Sequence, residues 1–383
     1  MSLPLAAITT PGLEPITRGE LHRLGLTPGV EEPGLISFIG SLDDLARTNL
    51  HLCTASRVIM RLGHFHARAL GELERKASEL PWDEWIAPGI PITVKATCRK
   101  SRLYHQRAVA ERIATAAGRS VAGNIAEGDE VEDEGQAVQL ILVRLMRDEC
   151  TVSLDSSGAL LHRRGYRLEG GKAPLRETLA AALLIASGWD PDTPLVDPFC
   201  GSGTIPIEAA LMARRIPPGL GREFAFFRWR GWKQERWTEL CGEAQKISRE
   251  RSRATIRGSD RDEGAIRAAS ANADRAGVPA DIELRREAVS SVEVPSGTGA
   301  LVSNPPYGHR IGELRTLRDL YARLGQVARE RFAGWRVTLL VPAAPIERAT
   351  GLEFEELIRT RNGGQVVRAV GALVPPGEPS FTE

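Results

Sequence analysis

The chain has 383 residues, and its 50 Lys and Arg residues against 49 Asp and Glu residues give a formal net charge of only +1. This length exceeds one ordinary domain and predicts two or three of them. The near-zero charge excludes a protein that binds nucleic acid through overall charge alone. The longest uncharged apolar stretch, 179–189, is far shorter than the roughly 20 residues that cross a bilayer, so we expect no membrane partner.

The N-terminus and the thiols predict a cytoplasmic protein. The segment MSLPLAAITTPGLEP has no basic residue before its short apolar part, which argues against a secretion signal. The cysteines are odd in number, scattered, and form no C-x-x-C pair, so we expect reduced thiols and no metal site. They are Cys53, Cys98, Cys150, Cys200 and Cys241.

The first 165 residues or so mix helical and strand patterns and predict one or two small α+β modules. The predicted helices are 18–24, 42–49, 65–79 and 107–117, and the predicted strands are 92–96, 139–144 and 149–154. Residues 95–119 carry seven cations against one acid. An acidic run at 127–134 follows, which we interpret as a solvated loop.

The second half alternates short apolar strands with helices, which predicts a parallel, doubly wound sheet. The strands are 194–197, 254–259, 282–284, 299–303 and 336–341, and the helices are 204–215, 263–276 and 317–332. Two extended runs, 354–361 and 365–374, follow with Asn362-Gly363-Gly364 between them. An Asn-Gly turn between such runs predicts an antiparallel hairpin that closes the sheet.

A glycine loop, DPFCGSGT from Asp197 onward, follows the first predicted strand of this half. It places a carboxylate at the end of the strand and Gly201 and Gly203 before a helix, where open α/β sheets bind ligands. A dinucleotide fingerprint requires a third glycine where this chain has Pro206. It also requires an acid about 20 residues later, whereas Asp260 comes 59 residues after Gly201. NAD is therefore a poor fit.

A nucleoside cofactor without a pyrophosphate fits this loop better, and S-adenosylmethionine is the natural candidate. Asp197 would lie near its cationic amino acid end, and Asp260 would accept hydrogen bonds from the ribose hydroxyls. Glu287 or the Ala288 amide would lie near the adenine edge. The simpler alternative is a tight strand-to-helix turn that binds no ligand.

The segment SNPPYG ends the fourth strand of this half. Proline holds the residue before it extended and donates no hydrogen bond, so the Asn304 side-chain oxygen and the Pro305 carbonyl can converge as two fixed acceptors. Two acceptors suit an exocyclic amine, because accepting both N–H hydrogens localises the nitrogen lone pair. Tyr307 would stack on the target base. The alternative is a rigid loop in which Tyr307 only packs.

Several independent segments occur in the order of one known family. They are GLEPITRGELHRLGL (12–26), SRLYHQRAVAERI (101–113), DSSGALLHRRGYR (155–167), PLRETLAAALL (174–184), DPFCGSGT (197–204), GSDRD (258–262) and SNPPYGHRIGE (303–313). Together they resemble the THUMP-domain class I RNA methyltransferases that make N2-methylguanosine, a family that includes the bacterial large-subunit (23S) rRNA enzyme and the tRNA position-6 enzyme.

The resemblance implies a ferredoxin-like module at 1–65, a THUMP RNA-binding domain at 66–167 and a Rossmann-like class I methyltransferase domain at 168–383. It also implies a catalytic set and a cofactor-binding set of residues, although the family usually has aspartate in place of Glu287. The catalytic set is Asn304, Pro305, Pro306 and Tyr307. The cofactor set is Asp197, Phe199, Gly201, Gly203, Thr204, Asp260, Arg261, Glu287, Ala288 and Asn304.

Structured RNA is the expected partner, and two regions compete to contact it. Cations interleaved with aromatics suit phosphate contact and base stacking. The first candidates are Lys95, Arg99, Lys100, Arg102, Tyr104, His105 and Arg107, with Arg163 and Arg164 as further ones. The second region, 222–233, is rich in both residue types, with core packing as the alternative.

Four functions remain open at this point. The motif set favours N2-methylguanosine formation in 23S rRNA, and the THUMP-like module equally suits tRNA. An Asn-Pro-Pro-Tyr motif serves any exocyclic amine, so an adenine or cytosine DNA methyltransferase is a further alternative. The last is an RNA-binding assembly factor without catalysis, which the intact Asp197, Asp260 and Asn304 disfavour. No pattern bears on the oligomeric state.

Overall fold

The computed structural model describes residues 2–118, 138–167, 175–307 and 314–375. Three features singled out above lie outside the described residues: Arg119, the acidic run 127–134, and the segment 308–313 that follows Tyr307. Within the described ranges, we find no helix with enough consecutive apolar residues to cross a bilayer.

The elements of the first part of the chain alternate strands and helices. In order they are β1 (Leu3–Thr9), α1 (Glu14–Arg23), β2 (Pro28–Glu32), β3 (Leu35–Gly40), α2 (Leu42–His51), β4 (Ala55–His66), α3 (Leu70–Ser78), α4 (Trp82–Trp85), β5 (Ile92–Arg99), α5 (Gln106–Ala116), β6 (Gln139–Met146) and β7 (Glu149–Asp155).

The second part continues the same numbering. Its elements are α6 (Glu177–Ala186), β8 (Leu195–Asp197), α7 (Thr204–Ala213), α8 (Gln234–Ile247), β9 (Ile256–Asp260), α9 (Glu263–Arg275), β10 (Ile282–Arg286), β11 (Ala300–Ser303), α10 (Leu314–Arg331), β12 (Arg336–Pro342), β13 (Glu355–Asn362) and β14 (Gln365–Leu373).

Side chains just before two of the helices explain where those helices begin. Ser41 and Asp44 form a reciprocal capping box at the start of α2, each side chain accepting a backbone N–H of the other. Asp262 precedes α9, and its carboxylate accepts from the Ala265 amide at 3.0 Å. Each cap satisfies a helical N–H group that has no partner within the helix.

The chain divides into two compact units. The first comprises Met1–Thr9, Arg18–Leu161 and Gly221–Gly242. Its seven strands lie in the order β2-β3-β1-β4-β7-β6-β5, and β5 and β6 are its parallel pair. Because β4 pairs with β1 on one side and with β7 on the other, strands on both sides of the predicted border at residue 65 belong to one continuous sheet.

The predicted helix at 65–79 begins later than the sequence indicated. Strand β4 extends to His66, and α3 starts only at Leu70. The register of β4 shifts beside Gly63, where an added Cβ would lie 2.3 Å from the Leu80 side chain. This bulge interrupts the two-residue alternation by which a strand is recognised, so pairing with β7 decides the structure.

The aromatic segment 222–233 contributes its buried rings to the core of the first unit, which is the core-packing alternative stated above for this region. Phe224, Phe226 and Trp229 are at most 4% exposed. Phe224 packs edge-on against Trp237 with ring centroids 5.2 Å apart. The Trp229 indole donates to the Gln139 side chain at 2.7 Å. Aromatic pairs of this kind stabilise a core and leave no exposed face for a base.

The second unit comprises Thr10–Thr17, His162–Leu220 and Glu243–Glu383. Its sheet has the order β10-β9-β8-β11-β12-β14-β13, in which the first five strands are parallel and β14 is antiparallel to both neighbours. The predicted doubly wound sheet with a terminal antiparallel hairpin is confirmed. The chain leaves β8 for β9 on one side and reaches β11 on the other, which is a topological switch point.

Two apolar clusters cover the faces of this sheet. The α6 and α7 side chains, such as Leu183 and Ile205, belong to one cluster. The α10 side chains, such as Tyr321 and Leu324, belong to the other. Both faces are therefore closed, and the carboxyl ends of β8, β9 and β11 remain as the edge at which a ligand can bind.

Candidate active site

The glycine loop joins β8 to α7 through two left-handed residues. Gly201 has φ = 52° and Gly203 has φ = 83°, a region that side chains other than glycine rarely adopt. A Cβ added to Gly203 would lie 3.0 Å from the Ala269 Cβ, whereas one added to Gly201 would meet no atom within 4 Å. The loop thus packs tightly behind Gly203 and leaves open space at Gly201.

Asp197 is a buried carboxylate at the end of β8. It accepts a hydrogen bond from the Ser303 hydroxyl at 2.5 Å and one from the Phe199 amide at 3.1 Å. Burial raises its pKa to about 7, Ser303 and the Phe199 amide counteract this, and the nearby Asp260 raises it further. The carboxyl is thus poised to ionise when a cation arrives.

Asp260 connects the glycine loop to the strand that follows it in the sheet. Its carboxylate accepts from the Gly201 amide at 3.2 Å and from the Asp262 amide at 2.9 Å. Its backbone carbonyl accepts from the Glu287 amide at 3.0 Å. The fold therefore brings together Asp197, Gly201, Asp260 and Glu287, which lie up to 90 residues apart in the sequence.

Two buried acceptor atoms at this edge have no hydrogen-bond partner among the described residues. They are Oδ1 of Asn304 and Oε1 of Glu287. Leaving a buried acceptor unpaired is unfavourable by roughly 1–3 kcal/mol, so such atoms favour a ligand that donates to them. An adenosine cofactor and an exocyclic amine both carry donors, and the residues present fit S-adenosylmethionine and its acceptor base.

The Asn-Pro-Pro-Tyr segment begins where β11 ends. Asn304 is half-buried, Pro305 buried, Pro306 exposed and Tyr307 half-buried. The Tyr307 hydroxyl accepts a hydrogen bond from the Asn362 amide group at 3.1 Å, and burial raises the pKa of this phenol. Tyr307 also packs against the apolar cluster that includes α6 and α7, and its half-buried side chain keeps part of its surface exposed.

The other predicted cofactor residues differ in exposure. Phe199 is half-buried and packs against the apolar cluster that includes α10, and Thr204 is buried at the start of α7. Arg261 and Ala288 are exposed beside Asp260 and Glu287. Cys200, interpreted from sequence only as a small packing residue, is buried, and burial raises the pKa of its thiol well above the ordinary range.

Sequence reasoning gave no role to two residues at this site. Ser303 immediately precedes Asn304 and bonds to Asp197, so it joins the two motifs directly. Asn362 was identified only as a turn residue, yet it contacts Tyr307 across 55 positions of sequence. The apolar run before Ser303 could have indicated that Ser303 lies at the end of a buried strand. No signal in the sequence pairs Asn362 with Tyr307.

Most of the predicted RNA-binding residues form one exposed group in the first unit, which we call the basic rim. The rim comprises Arg99, Lys100, Arg102, Tyr104, His105 and Arg107, all exposed at the end of β5 and the start of α5. The rings of Tyr104 and His105 lie 4.0 Å apart, and Tyr104 is 68% exposed. Arg107 pairs with Glu111 at 3.1 Å, a surface contact that is readily exchanged for a phosphate.

Asp148 holds the backbone of the rim in place. Its carboxylate accepts from the Arg102 amide at 2.7 Å and from the Arg68 side chain at 3.0 Å. The Arg102 amide is the main cause of its lowered pKa. Arg68 and Arg147, which the sequence did not single out, are therefore further cations beside the rim, since the Arg147 amide donates to the Arg99 carbonyl at 3.2 Å.

Two other predicted RNA contacts differ from the rim. Lys95 is half-buried within β5. The predicted RNA contact by Arg164 is wrong, because its side chain is only 3% exposed. Its Nε atom lies 3.6 Å from the carboxylate of Glu208, which is equally buried. The same carboxylate accepts a hydrogen bond from the Tyr166 hydroxyl at 3.0 Å. A buried ion pair of this kind is structural and cannot reach a phosphate. Its neighbour Arg163 is exposed.

In the part of the chain that the structure describes, no three His, Cys, Asp or Glu side chains are grouped closely enough to hold a metal ion. Cys53, Cys98, Cys150, Cys200 and Cys241 are free thiols, half-buried or buried.

Family models match three successive parts of the chain. A model described as the RlmL ferredoxin-like domain matches residues 4–59, the THUMP domain matches 67–155, and an RMKL-like methyltransferase domain matches 164–365. The last match alone covers more than half of the chain. The resemblance drawn from the sequence motifs is confirmed.

Curated relatives match over nearly the whole chain. A Synechocystis sp. protein named as a candidate RNA methyltransferase, slr0064, is 34% identical over 94% of this chain and 94% of its own length. The ribosomal RNA large subunit methyltransferase K/L of Syntrophotalea carbinolica is 38% identical over 92% of this chain. The chain spans about half, 51%, of that relative's length.

Solved structures share the fold. A Listeria monocytogenes protein described as a predicted N6-adenine-specific DNA methylase is 33% identical, with a TM-score of 0.85 and 96% of each chain covered. A candidate methyltransferase, SMU.472, solved in complex with SAH, is 29% identical, with a TM-score of 0.87 over 98% of this chain and 99% of its own. The predicted class I methyltransferase fold with its N-terminal modules is confirmed.

Proposed function

Because the chain belongs to the RMKL-like methyltransferase family, we propose that it is an S-adenosylmethionine-dependent RNA methyltransferase that forms N2-methylguanosine in 23S rRNA. The observation that carries this proposal is the unpaired, buried Oδ1 of Asn304 at the carboxyl edge of the sheet, beside the hydrogen-bonded group of Asp197, Ser303 and Asp260. A buried acceptor in this position favours a ligand that donates a hydrogen bond to it.

S-adenosylmethionine supplies a methyl group made electrophilic by the sulfonium to which it is bonded. The residues that would hold it are Asp197 toward its cationic end, Asp260 toward its ribose and Glu287 toward its adenine. Gly201 leaves the open space that a close backbone approach needs. The unpaired Oε1 of Glu287 is a suitable acceptor for an exocyclic amine of adenine, in place of the aspartate usual in the family.

The target amine is bound by two acceptors of the chain. Asn304 Oδ1 and the Pro305 carbonyl would each accept one N–H hydrogen, which localises the nitrogen lone pair and orients it. An aromatic amine is a weak nucleophile, so orientation and electrostatics supply most of the acceleration. A methylated aromatic ammonium is a strong acid and releases its proton to water, so the site needs no strong general base.

RNA binding would use the exposed cations and rings of the basic rim. Lys100 and Arg102 can contact phosphates, and Tyr104 and His105 can stack on unpaired bases. The match of residues 67–155 to the THUMP domain supports RNA as the partner of this part of the chain. The K/L relatives favour ribosomal RNA, and tRNA is the alternative that the same THUMP domain supports.

A second candidate acceptor is an adenine amine. The clamp of Asn304 and Pro305 recognises an exocyclic –NH2 and does not by itself distinguish guanine N2 from adenine N6. The Listeria structure, whose description names a DNA methylase, favours this second candidate. The N-terminal RNA-type modules favour guanine in RNA.

Product analysis tests the proposal. The protein is incubated with radiolabelled S-adenosylmethionine and unmodified total RNA, or with unmethylated DNA in parallel, and the products are digested to nucleosides. We expect label in N2-methylguanosine from RNA. Label in N6-methyladenosine or in DNA would refute the proposed acceptor, and the size class of the labelled RNA separates rRNA from tRNA.

A further inference from the structure

We infer that Asn362, at the turn between β13 and β14, is a positioning residue that holds the ring of Tyr307 in the orientation needed to stack on the target base. The inference rests on the proposed function, because it assigns Asn362 a role through Tyr307. Its observation is the hydrogen bond of 3.1 Å from the Asn362 amide group to the Tyr307 hydroxyl.

The fold brings these two residues to the same edge of the sheet. Strand β14 runs antiparallel to β12, and its pairing of Val367 with Pro342 places the hairpin turn at the carboxyl end of β12. Strand β11, parallel to β12, ends at Ser303 on the same edge, where the Asn-Pro-Pro-Tyr segment begins. The turn therefore lies beside the predicted base-binding residues although its sequence is distant from theirs.

The turn is built so that Asn362 has a defined direction. Gly363 and Gly364 both have positive φ, 53° and 85°, as a tight two-residue hairpin turn requires. Asn362 and Gln365 form the last pair of the ladder, so the Asn362 backbone is fixed by the strand pairing. Its side chain is half-buried, whereas Gln365 on the opposite strand is exposed.

The Tyr307 side chain needs such support because the two prolines before it restrict the backbone but not the side chain. Pro305 and Pro306 fix the chain ahead of it, but proline does not set the χ angles of the next residue. The half-buried Tyr307 side chain packs against the apolar cluster, and its hydroxyl accepts a hydrogen bond from Asn362. A hydrogen bond at the end of a ring restricts both χ1 and χ2, which reduces the entropy lost on stacking.

The hydrogen bond between Asn362 and Tyr307 joins two neutral groups. Burial raises the pKa of Tyr307, so the phenol stays neutral at physiological pH and can both donate and accept. Near it, the hydroxyl of the buried Tyr321 has no hydrogen-bond partner among the described residues. Burial, with smaller contributions from Tyr307 and Glu347, raises its pKa, so this second phenol is also neutral.

The test is a double-mutant cycle on the full chain, with kcat, KM for RNA, cofactor affinity and melting temperature measured for each protein. Asn362→Ala and Tyr307→Phe should each lower kcat about five- to tenfold, as expected for one lost hydrogen bond, with cofactor affinity unchanged. The double variant should be no slower than either single one, because both remove the same bond. Gln365→Ala, across the turn, is the matched control and should match the wild type.

Asn362→Asp tests rescue, since a carboxylate accepts from the Tyr307 hydroxyl, and it should retain most of the activity that Asn362→Ala loses. If Asn362→Ala slows the Tyr307→Phe protein as much as it slows the wild type, Asn362 acts through the hairpin and the inference is wrong. Unchanged kcat for Asn362→Ala in an active protein would also overturn it. A wild type that methylates no RNA would instead refute the proposed function, so the two failures are distinct.

Discussion

The active edge of the second sheet and the basic rim of the first unit bind their partners by opposite means. At the active edge the functional side chains are buried or half-buried. The carboxylates of Asp197 and Asp260 are each held by two hydrogen bonds, and Asn304 Oδ1 is unpaired among the described residues. On the rim the functional groups are exposed and held mainly through Asp148 and the backbone. Catalysis at the edge should therefore be sensitive to the loss of single atoms, whereas RNA affinity at the rim should depend on the sum of its charges.

The largest effect should come from the acceptor at the active edge. We expect Asn304→Ala to lower kcat about 10²- to 10³-fold, because it removes an acceptor that acts on the reacting amine. Cofactor affinity, measured by calorimetry, should stay within a few-fold of the wild type. Asn304→Asp is the control that retains an acceptor oxygen, and it should lose less. Loss of cofactor binding by Asn304→Ala would mean that the segment does not hold the base.

Arg164 and its neighbour Arg163 allow a buried cation to be compared with an exposed one. Arg164→Gln leaves the buried Glu208 without its paired cation and should lower the free energy of unfolding by roughly 3–5 kcal/mol. Arg163→Gln, at the exposed neighbour, should change it by less than about 0.5 kcal/mol. Denaturant unfolding measures both. A stable Arg164→Gln protein with weakened RNA binding would instead show that Arg164 contacts RNA.

Ser303 should act through the ionisation of Asp197. The pKa of Asp197 is about 7, so the carboxyl is neutral below this pH, and affinity for a cationic cofactor should rise as the pH rises through about 7. Ser303 lowers that pKa, so Ser303→Ala should move the rise to higher pH and weaken binding several-fold at pH 7. Calorimetry of cofactor binding from pH 6 to 9 measures the shift.

Ser259→Ala is the matched control for Ser303→Ala. Ser259 is buried on the neighbouring strand β9, and its hydroxyl has no hydrogen-bond partner among the described residues. Its removal should leave the pH dependence unchanged. For the stability of the cofactor-free protein, the pH dependence is opposite to that of cofactor binding. The contribution of Asp197 to the free energy of unfolding is complete below its ordinary pKa of 3.8 and is lost as the pH rises through about 7.

The smallest effects should come from the rim. Arg102→Gln should weaken RNA binding only about three- to fivefold and reduce the slope of log K against log salt by about 1, as for one lost phosphate contact. Melting temperature should not change, since the Arg102 amide that bonds to Asp148 is retained. Arg75→Gln is the control: Arg75 is exposed on α3 and paired with Glu79. An equal loss of RNA affinity in Arg102→Gln and Arg75→Gln would show that RNA binding depends only on the net charge of the protein and not on the rim.

The order of elements in the second unit was predictable because short apolar strands alternate with helices and turns carry glycine. Strand β11, the helix α9 and the turn at Gly363 and Gly364 lie where the pattern placed them. The strands β1 to β4 of the first unit were missed. β1 is buried on both faces along most of its length, so it lacks the polar-apolar alternation that identifies a half-buried strand.

At the site, the sequence indicated the atoms that are local to a motif and missed those that depend on distant contacts. Asp197 and Asn304 follow strands within recognisable segments. The hydrogen bonds from Ser303 to Asp197 and from Asn362 to Tyr307 form only because β8, β11 and the hairpin turn lie at one edge of the sheet. Arg164 was misassigned for the same reason, since a basic run in sequence does not show which of its members is buried against Glu208.

The most direct test of the central claim removes one amine from the substrate. Once product analysis has located the methylated guanosine, an RNA is made with inosine at that position, which lacks only the exocyclic amine that Asn304 and Pro305 would hold. The account predicts that this RNA competes for binding with similar affinity and accepts no methyl group, while the guanosine RNA is methylated. Equal methylation of the inosine RNA would contradict the account.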